Sequence, residues 1–236
     1  MQIATTGIAV PEGKHKYEDP ILSALADKFL PKKVTPFYAQ FVPDGYEQAD
    51  IIVITKDRIL DLLIHDIEKV ETRRDRATDP EERTLLERVL ADIEGEIPVC
   101  AQSFSEPERV LMRGLSPLSL KPTLVLGADT EPAVDSSDPS VIIPRAMVSA
   151  GVMFFYTAGK KEVRSWLVDR GTSAQGCAAR IHSDLAQGFV KAEIVPAGDL
   201  LQCHSMQDAR QRNLTRLVDR DFVIPEETVL EIRFNI

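Results

Sequence analysis

Near its start the chain carries Gly7 and then Gly13-Lys14, the residue types of a loop that wraps phosphates in backbone N–H groups. A Walker loop sets four residues between its glycines and follows the lysine with Ser or Thr, whose hydroxyl holds magnesium. Here five residues intervene, Pro11 removes one donor, and His15 stands where the hydroxyl belongs. Charge-assisted hydrogen bonds contribute roughly 1.5–3 kcal/mol each, so losing three or four costs about 5–10 kcal/mol. A micromolar site needs about 8 kcal/mol in all. These residues therefore predict no working phosphate loop, no nucleotide hydrolysis and no bound cofactor.

Two other constellations could carry chemistry. Cys177, His182, Cys203 and His204 are metal ligands or a nucleophile–base pair by type, but no pair has C-x-x-C spacing and nothing supplies an orienting group. They read as structural residues, with His182 at a helix C-terminus. Lys160, Lys161, Arg164, Arg180, His182 and Lys191 could instead form a basic surface for RNA or a partner, although Glu162, Asp169 and Asp184 dilute it. Phe154, Phe155, Tyr156 and Trp166 are core residues by their strand setting, and a base-stacking platform is the minor alternative.

The elements that must position these residues follow from pattern. Ile3 to Val10 predicts a strand ended by Pro11-Glu12-Gly13, and Asp19-Pro20 opens a short helix. Val34 to Val42 and Ile51 to Thr55 predict strands. Over 57–96 the spacing of Ile59, Leu63, Ile67 and Val70 predicts one helix. Asp79-Pro80 starts a second, with Glu82 completing a capping box. Thr123 to Leu126 and Val141 to Ile143 predict further strands. From Gly151 the pattern is VMFFYT, a turn at 158–160, EVRSWLV, a helix from Ser173 to about Leu185, FVKAEIV, and a closing VLEIRFNI in which apolar and polar residues alternate.

The 236 residues suit one large or two modest domains, and 44% hydrophobic with 28% charged residues supports a real core. Three cysteines make no disulfide framework, and neither a signal pattern nor an apolar run of membrane-spanning length is present. A cytoplasmic chain is expected, with its oligomeric state left open. The net charge of −9 argues against indiscriminate nucleic-acid binding. Residues 151–236 hold 11 basic and 11 acidic side chains, so the whole excess lies in residues 1–150. Contact with RNA phosphate is better sought in the C-terminal third.

Residues 156–195, YTAGKKEVRSWLVDRGTSAQGCAARIHSDLAQGFVKAEIV, resemble the TGS domain of YchF-type proteins, relatives of the Obg GTPases. The patterns F-T-A-G-x-K-E-V-R-A-W, K-G-T-x-A and I-H-x-D-x-x-x-G-F-I-x-A-E-V are nearly matched, as is M-x-F-R-F-N-V by residues 230–236. Upstream, 19–42 is similar to the family segment leading to a magnesium-contacting D-x-A-G. Residues 57–96 resemble an inserted helical hairpin, and 121–131 the strand bearing a base-reading N-x-x-E. The departures fall on nucleotide contacts. The family's first strand, phosphate loop and first helix look missing, Val42-Pro43-Asp44-Gly45 replaces V-D-x-A-G, and Ala128 stands for the base-reading asparagine while Glu131 remains.

The resemblance implies a fold of mixed α+β and α/β kind. A truncated P-loop-NTPase-like α/β domain (1–56 and 97–150) is expected, interrupted by an antiparallel helical hairpin (57–96) and followed by a TGS β-grasp domain (151–236). It implies a non-catalytic binding or regulatory protein acting through the TGS domain on the ribosome, RNA or a protein partner. The alternatives are a degenerate ATP- or GTP-binding switch and a structural or oligomerisation partner. No catalytic, nucleotide-binding or metal residue is transferred.

Overall fold

The computed structural model describes residues 1–127 and 137–235. In chain order the first half contains β1 (Gln2–Thr6), β2 (Gly13–Lys16), α1 (Pro20–Phe29), β3 (Lys33–Thr35), β4 (Tyr38–Pro43), β5 (Ile51–Thr55), α2 (Ile59–Arg76), α3 (Pro80–Glu94) and α4 (Glu106–Leu115). Then come β6 (Thr123–Leu126), α5 (Pro139–Ser149), β7 (Val152–Ala158), β8 (Glu162–Asp169), α6 (Ala174–Ile181) and α7 (Ser183–Gln187). The last elements are β9 (Phe189–Pro196), α8 (Ala197–Leu201), α9 (Met206–Gln211), β10 (Arg216–Val218) and β11 (Thr228–Phe234).

The chain divides into two compact units, Met1–His15 with Ala39–Ala150, and Lys16–Tyr38 with Gly151–Ile236. Residues 16–38, expected in the first domain, thus lie with the C-terminal sheet.

The first unit is built on a sheet of order β2-β4-β1-β5-β6. β1 pairs in parallel with β4 and β5, and β5 in parallel with β6. Parallel strands are buried on both faces and read as continuous apolar runs, which Ile51–Ile54 does, each residue 0% exposed. The central strand is β1, which falls within the strand expected from Ile3 to Val10. α2 and α3 bring Leu62, Leu63, Leu86, Val89 and Ile93 onto Ala4, Ile52 and Ile54. Each such side chain removed from water stabilises by about 1.5–3 kcal/mol. Asp79 caps α3 by accepting from the Glu81 N–H at 3.1 Å, but Glu82 does not close a capping box; its carboxylate pairs with Arg73 on α2.

Residues 141–143 are helical and not a strand. Asp138 accepts from the Ser140 N–H at 2.8 Å, Pro139 occupies the first turn, and Ile142, Ile143, Ala146 and Met147 make the buried face of α5. Helical spacing decides over β-branched composition here.

The second unit is a six-stranded sheet, β10-β9-β11-β7-β8-β3. Antiparallel β7–β8 and β9–β11 hairpin-like pairs meet where β11 runs parallel to β7. One face carries α6, whose Ala174, Cys177 and Ala178 pack with Phe155, Ala192, Ile194 and Leu230. On the other, Tyr156 donates to Asp19 at the start of α1, and Tyr17 and Phe37 pack on Phe154. The expected strand 34–42 is split by Pro36. β3 pairs with Glu162–Arg164 in this sheet, and β4 belongs to the first. The helix expected from Ser173 to Leu185 breaks at His182, whose backbone is extended at φ −163° and ψ 143°. The elements β2, α4, α8, α9 and β10 were not expected, although Ser105 and Glu108 form the capping box that starts α4.

Candidate functional site

In open α/β sheets ligands bind outside the carboxyl ends of parallel strands. In the first unit those ends belong to β1, β4, β5 and β6, and the first three hold a polar cluster. β1 ends at Thr6, whose hydroxyl donates to Asp44 Oδ1 at 2.7 Å and lies 2.6 Å from the Tyr46 hydroxyl. Asp44, just past β4, has a left-handed backbone (φ 51°), and its N–H donates to the Thr5 carbonyl at 3.1 Å. Burial is the main cause that raises the Tyr46 phenol, against the hydrogen bond to Thr6, and the His65 ring meets the Tyr46 ring edge-on at 6.4 Å.

Gly7 follows Thr6 at φ +77°, and a Cβ there would fall 2.0 Å from Thr55 Oγ1 at the end of β5. Glycine is required twice over, for the dihedral and for the approach. Thr55 Oγ1 itself is buried without a hydrogen-bond partner among the described residues. Beyond Gly7 the chain turns and enters β2, so Gly13-Lys14 begins a strand and not the helix that follows a phosphate loop. The cluster offers hydroxyls and one carboxylate at the place where a cradle of N–H donors would sit.

The other sequence-predicted positions are dispersed. Cys177 is buried beneath the second sheet, its thiol pushed up to about 12 by burial. Cys203 donates to the Asp199 carbonyl at 3.3 Å. His182 stands at the C-terminus of α6, as expected, where its N–H donates to the Ala178 carbonyl, and its Nδ1 accepts from the Asp184 N–H at 3.2 Å and caps α7. Among the described residues no group of three His, Cys, Asp or Glu could hold a metal ion, and no helix is long and apolar enough to cross a membrane. Ala128, Glu131 and Ile236 lie outside the described residues.

The basic candidates behave differently from one another. Lys160 and Lys161 are exposed at the β7–β8 turn. Arg164 stacks over Trp166, 3.7 Å to the ring centroid, and Trp166 lies parallel to Phe155. Arg180 donates through Nε to the Leu167 carbonyl at 3.0 Å, and Lys191 pairs with Asp219 at 3.0 Å. The aromatics Phe154, Phe155 and Tyr156 are core, at 7%, 0% and 2% exposure. Sequence reasoning missed Thr6, Tyr46 and Thr55, whose signal was their place at strand ends, legible only once the strand order is known.

Two parallel-to-mixed sheets with flanking helices define an α/β protein, and the structure of the Schizosaccharomyces pombe YchF GTPase shares this fold. It has a TM-score of 0.75 and 17% identity, over 93% of this chain and 86% of that one. Residues 152–235 match the family model YchF-GTPase_C, described as a protein of unknown function (DUF933). The ribosome-binding ATPase YchF of Mycoplasma genitalium is 36% identical over 95 residues, 40% of this chain and 26% of that protein. The ribosome-binding ATPase YchF of Escherichia coli O157:H7 is 24% identical over 221 residues, 73% of this chain and 61% of that protein. The chain is thus related to YchF proteins while spanning less than two thirds of the length of these curated relatives.

These relatives correct one expectation outright. A chain without nucleotide hydrolysis was expected, whereas the relatives are named ATPases and the structural neighbour a GTPase. The missing Walker spacing excludes one way of cradling phosphate. It does not weigh the hydroxyls and carboxylate that the carboxyl ends of β1, β4 and β5 still gather.

Proposed function

We propose that this chain is a ribosome-directed, nucleotide-handling relative of YchF. Its C-terminal unit is a TGS-type β-grasp sheet that makes the ribosome or RNA contact, and its N-terminal unit is a shortened GTPase-like domain carrying the α2–α3 hairpin. The match of residues 152–235 to the YchF C-terminal family carries this reading. The exposed cations Lys160 and Lys161 are the contact residues of choice. Lys191 and His182, engaged by Asp219 and by the α7 backbone, contribute less. Nucleotide would meet the carboxyl ends of β1, β4 and β5, where Thr6, Asp44, Tyr46 and Thr55 lie. A cytoplasmic location accompanies the reading.

Co-sedimentation with purified ribosomes at moderate salt, with and without ATP or GTP, tests it, with released phosphate measured in the same samples. Pelleting that changes with nucleotide supports the proposal. A chain that stays in the supernatant under every condition, and is not stabilised thermally by either nucleotide, overturns it.

A further inference from the structure

Strand β8 runs to Asp169, but its outer neighbour β3 pairs only with Glu162–Arg164. β3 cannot extend the ladder, because Pro36 follows it and has no N–H. Backbone groups alternate sides along a strand, and the even-numbered residues here face β7: the Glu162 carbonyl accepts from the Gly159 N–H, and the Arg170 N–H donates to the Gly151 carbonyl. Leu167 and Asp169 therefore face outward, where no strand of the described residues lies opposite.

Their carbonyls are already taken. That of Leu167 accepts from Arg180 Nε at 3.0 Å, and that of Asp169 accepts from the Thr172 N–H at 3.1 Å and the Thr172 hydroxyl at 2.6 Å. What the edge still offers is donors, the two outward N–H groups with the Arg180 guanidinium beside them. They border a groove of about 510 Å³ between β8 and α6, lined by Leu167, Val168, Asp169, Thr172, Gly176 and Arg180. A site that presents two donors and one guanidinium, with the Asp169 carboxylate at the strand end, selects an acceptor-rich chain that sets an acidic side chain opposite Arg180.

We propose that this groove receives an extended acidic segment of a partner protein, which adds to β8 beyond the end of β3. Its carbonyls would take the Leu167 and Asp169 N–H groups, acidic side chains on the α6 face would pair with Arg180, and the alternating apolar side chains would lie on the opposite face beside Leu167. The Asp169 carboxylate at the end of the strand disfavours a second acidic residue there and so sets the register.

The test uses the full chain and the capped hexapeptide Glu-Val-Glu-Val-Glu-Val as probe, followed by amide NMR. Leu167 and Asp169 amides are expected to shift on titration, and their hydrogen exchange to slow at least tenfold at saturation. Arg180→Glu should weaken binding at least tenfold, and Arg180→Gln less, with spectra elsewhere unchanged as the report of an intact fold. The proposal is overturned if those two amides stay unmoved at millimolar peptide, if a Lys-Val peptide binds as well, or if a single-stranded oligonucleotide moves them instead.

Discussion

The Tyr156 hydroxyl donates a 2.9 Å hydrogen bond to Asp19 Oδ2, joining two residues 137 apart in sequence inside the second unit. The other oxygen of Asp19 accepts from the N–H groups of Ile21 and Leu22 and so starts α1. One buried carboxylate, 3% exposed, thereby caps a helix and pins it to β7. Burial and the adjacent Asp19 charge hold the Tyr156 phenol far above its ordinary range, so it is a donor at neutral pH.

Tyr156→Phe removes the donor and leaves the carboxylate oxygen buried, at a cost of about 1–3 kcal/mol. Asp19→Ala loses the cap as well, a further ~1 kcal/mol. Denaturant midpoints of the two single variants and the double variant check this, and the double should fall short of the sum because the groups share one interaction. Additive losses would show that the bond contributes nothing.

Glu193, 2% exposed on β9, is clamped by Arg210 at 2.8 Å and Arg233 at 2.8 Å, which hold its carboxyl down at about 2. A folded value below the unfolded one contributes stability that is fully present above pH ~4.5 and is lost as the pH falls toward about 2. At about 1.4 kcal/mol per unit, a fall from about 4.5 to about 2 corresponds to about 3.5 kcal/mol at neutral pH. Glu193→Gln should lower neutral stability by that order and flatten the profile between pH 4.5 and 2. An unchanged acid slope in the variant would remove the clamp from the account.

How much of this was legible beforehand depended on range. Asp19-Pro20 and Asp79-Pro80 announced helix starts because a cap and its N–H groups lie within three residues of one another. The alternation of Leu230 and Ile232 announced β11, since burial on one face has period two. What stayed hidden was decided at a distance. Nothing near Val34 says that β3 will pair with Glu162–Arg164 while β4 pairs with Gln2–Thr5. Glu193, read as one charge in a strand, gave no sign that Arg210 and Arg233 would neutralise it. Thr6, Asp44, Tyr46 and Thr55 form a cluster only because the strand order brings three strand ends together.

Cys177 has no partner chemistry to activate it, and burial alone raises its thiol to about 12. Alkylation of the native protein at pH 8 should spare it, and mild unfolding should expose it with the loss of the second core. Peptide mapping after a timed iodoacetamide pulse checks the order. Rapid native labelling of Cys177 would mean that α6 opens from the sheet without global unfolding.

Gly7 lies where two independent penalties meet, a φ of +77° and a Cβ that would fall 2.0 Å from Thr55 Oγ1. A left-handed backbone at a non-glycine residue costs about 1–3 kcal/mol, and displacing a buried side chain adds a comparable term of about 1–3 kcal/mol. Gly7→Ala should therefore lose about 2–6 kcal/mol by equilibrium unfolding. Thr55→Ala alone should be nearly neutral, because the hydroxyl it removes is buried without a partner. Introduced together, the second change should recover the steric part and leave the backbone part, so the pair couples favourably. If Gly7→Ala is equally costly with and without Thr55, the close approach of β1 and β5 at their carboxyl ends is not what demands the glycine, and the dihedral alone must carry it.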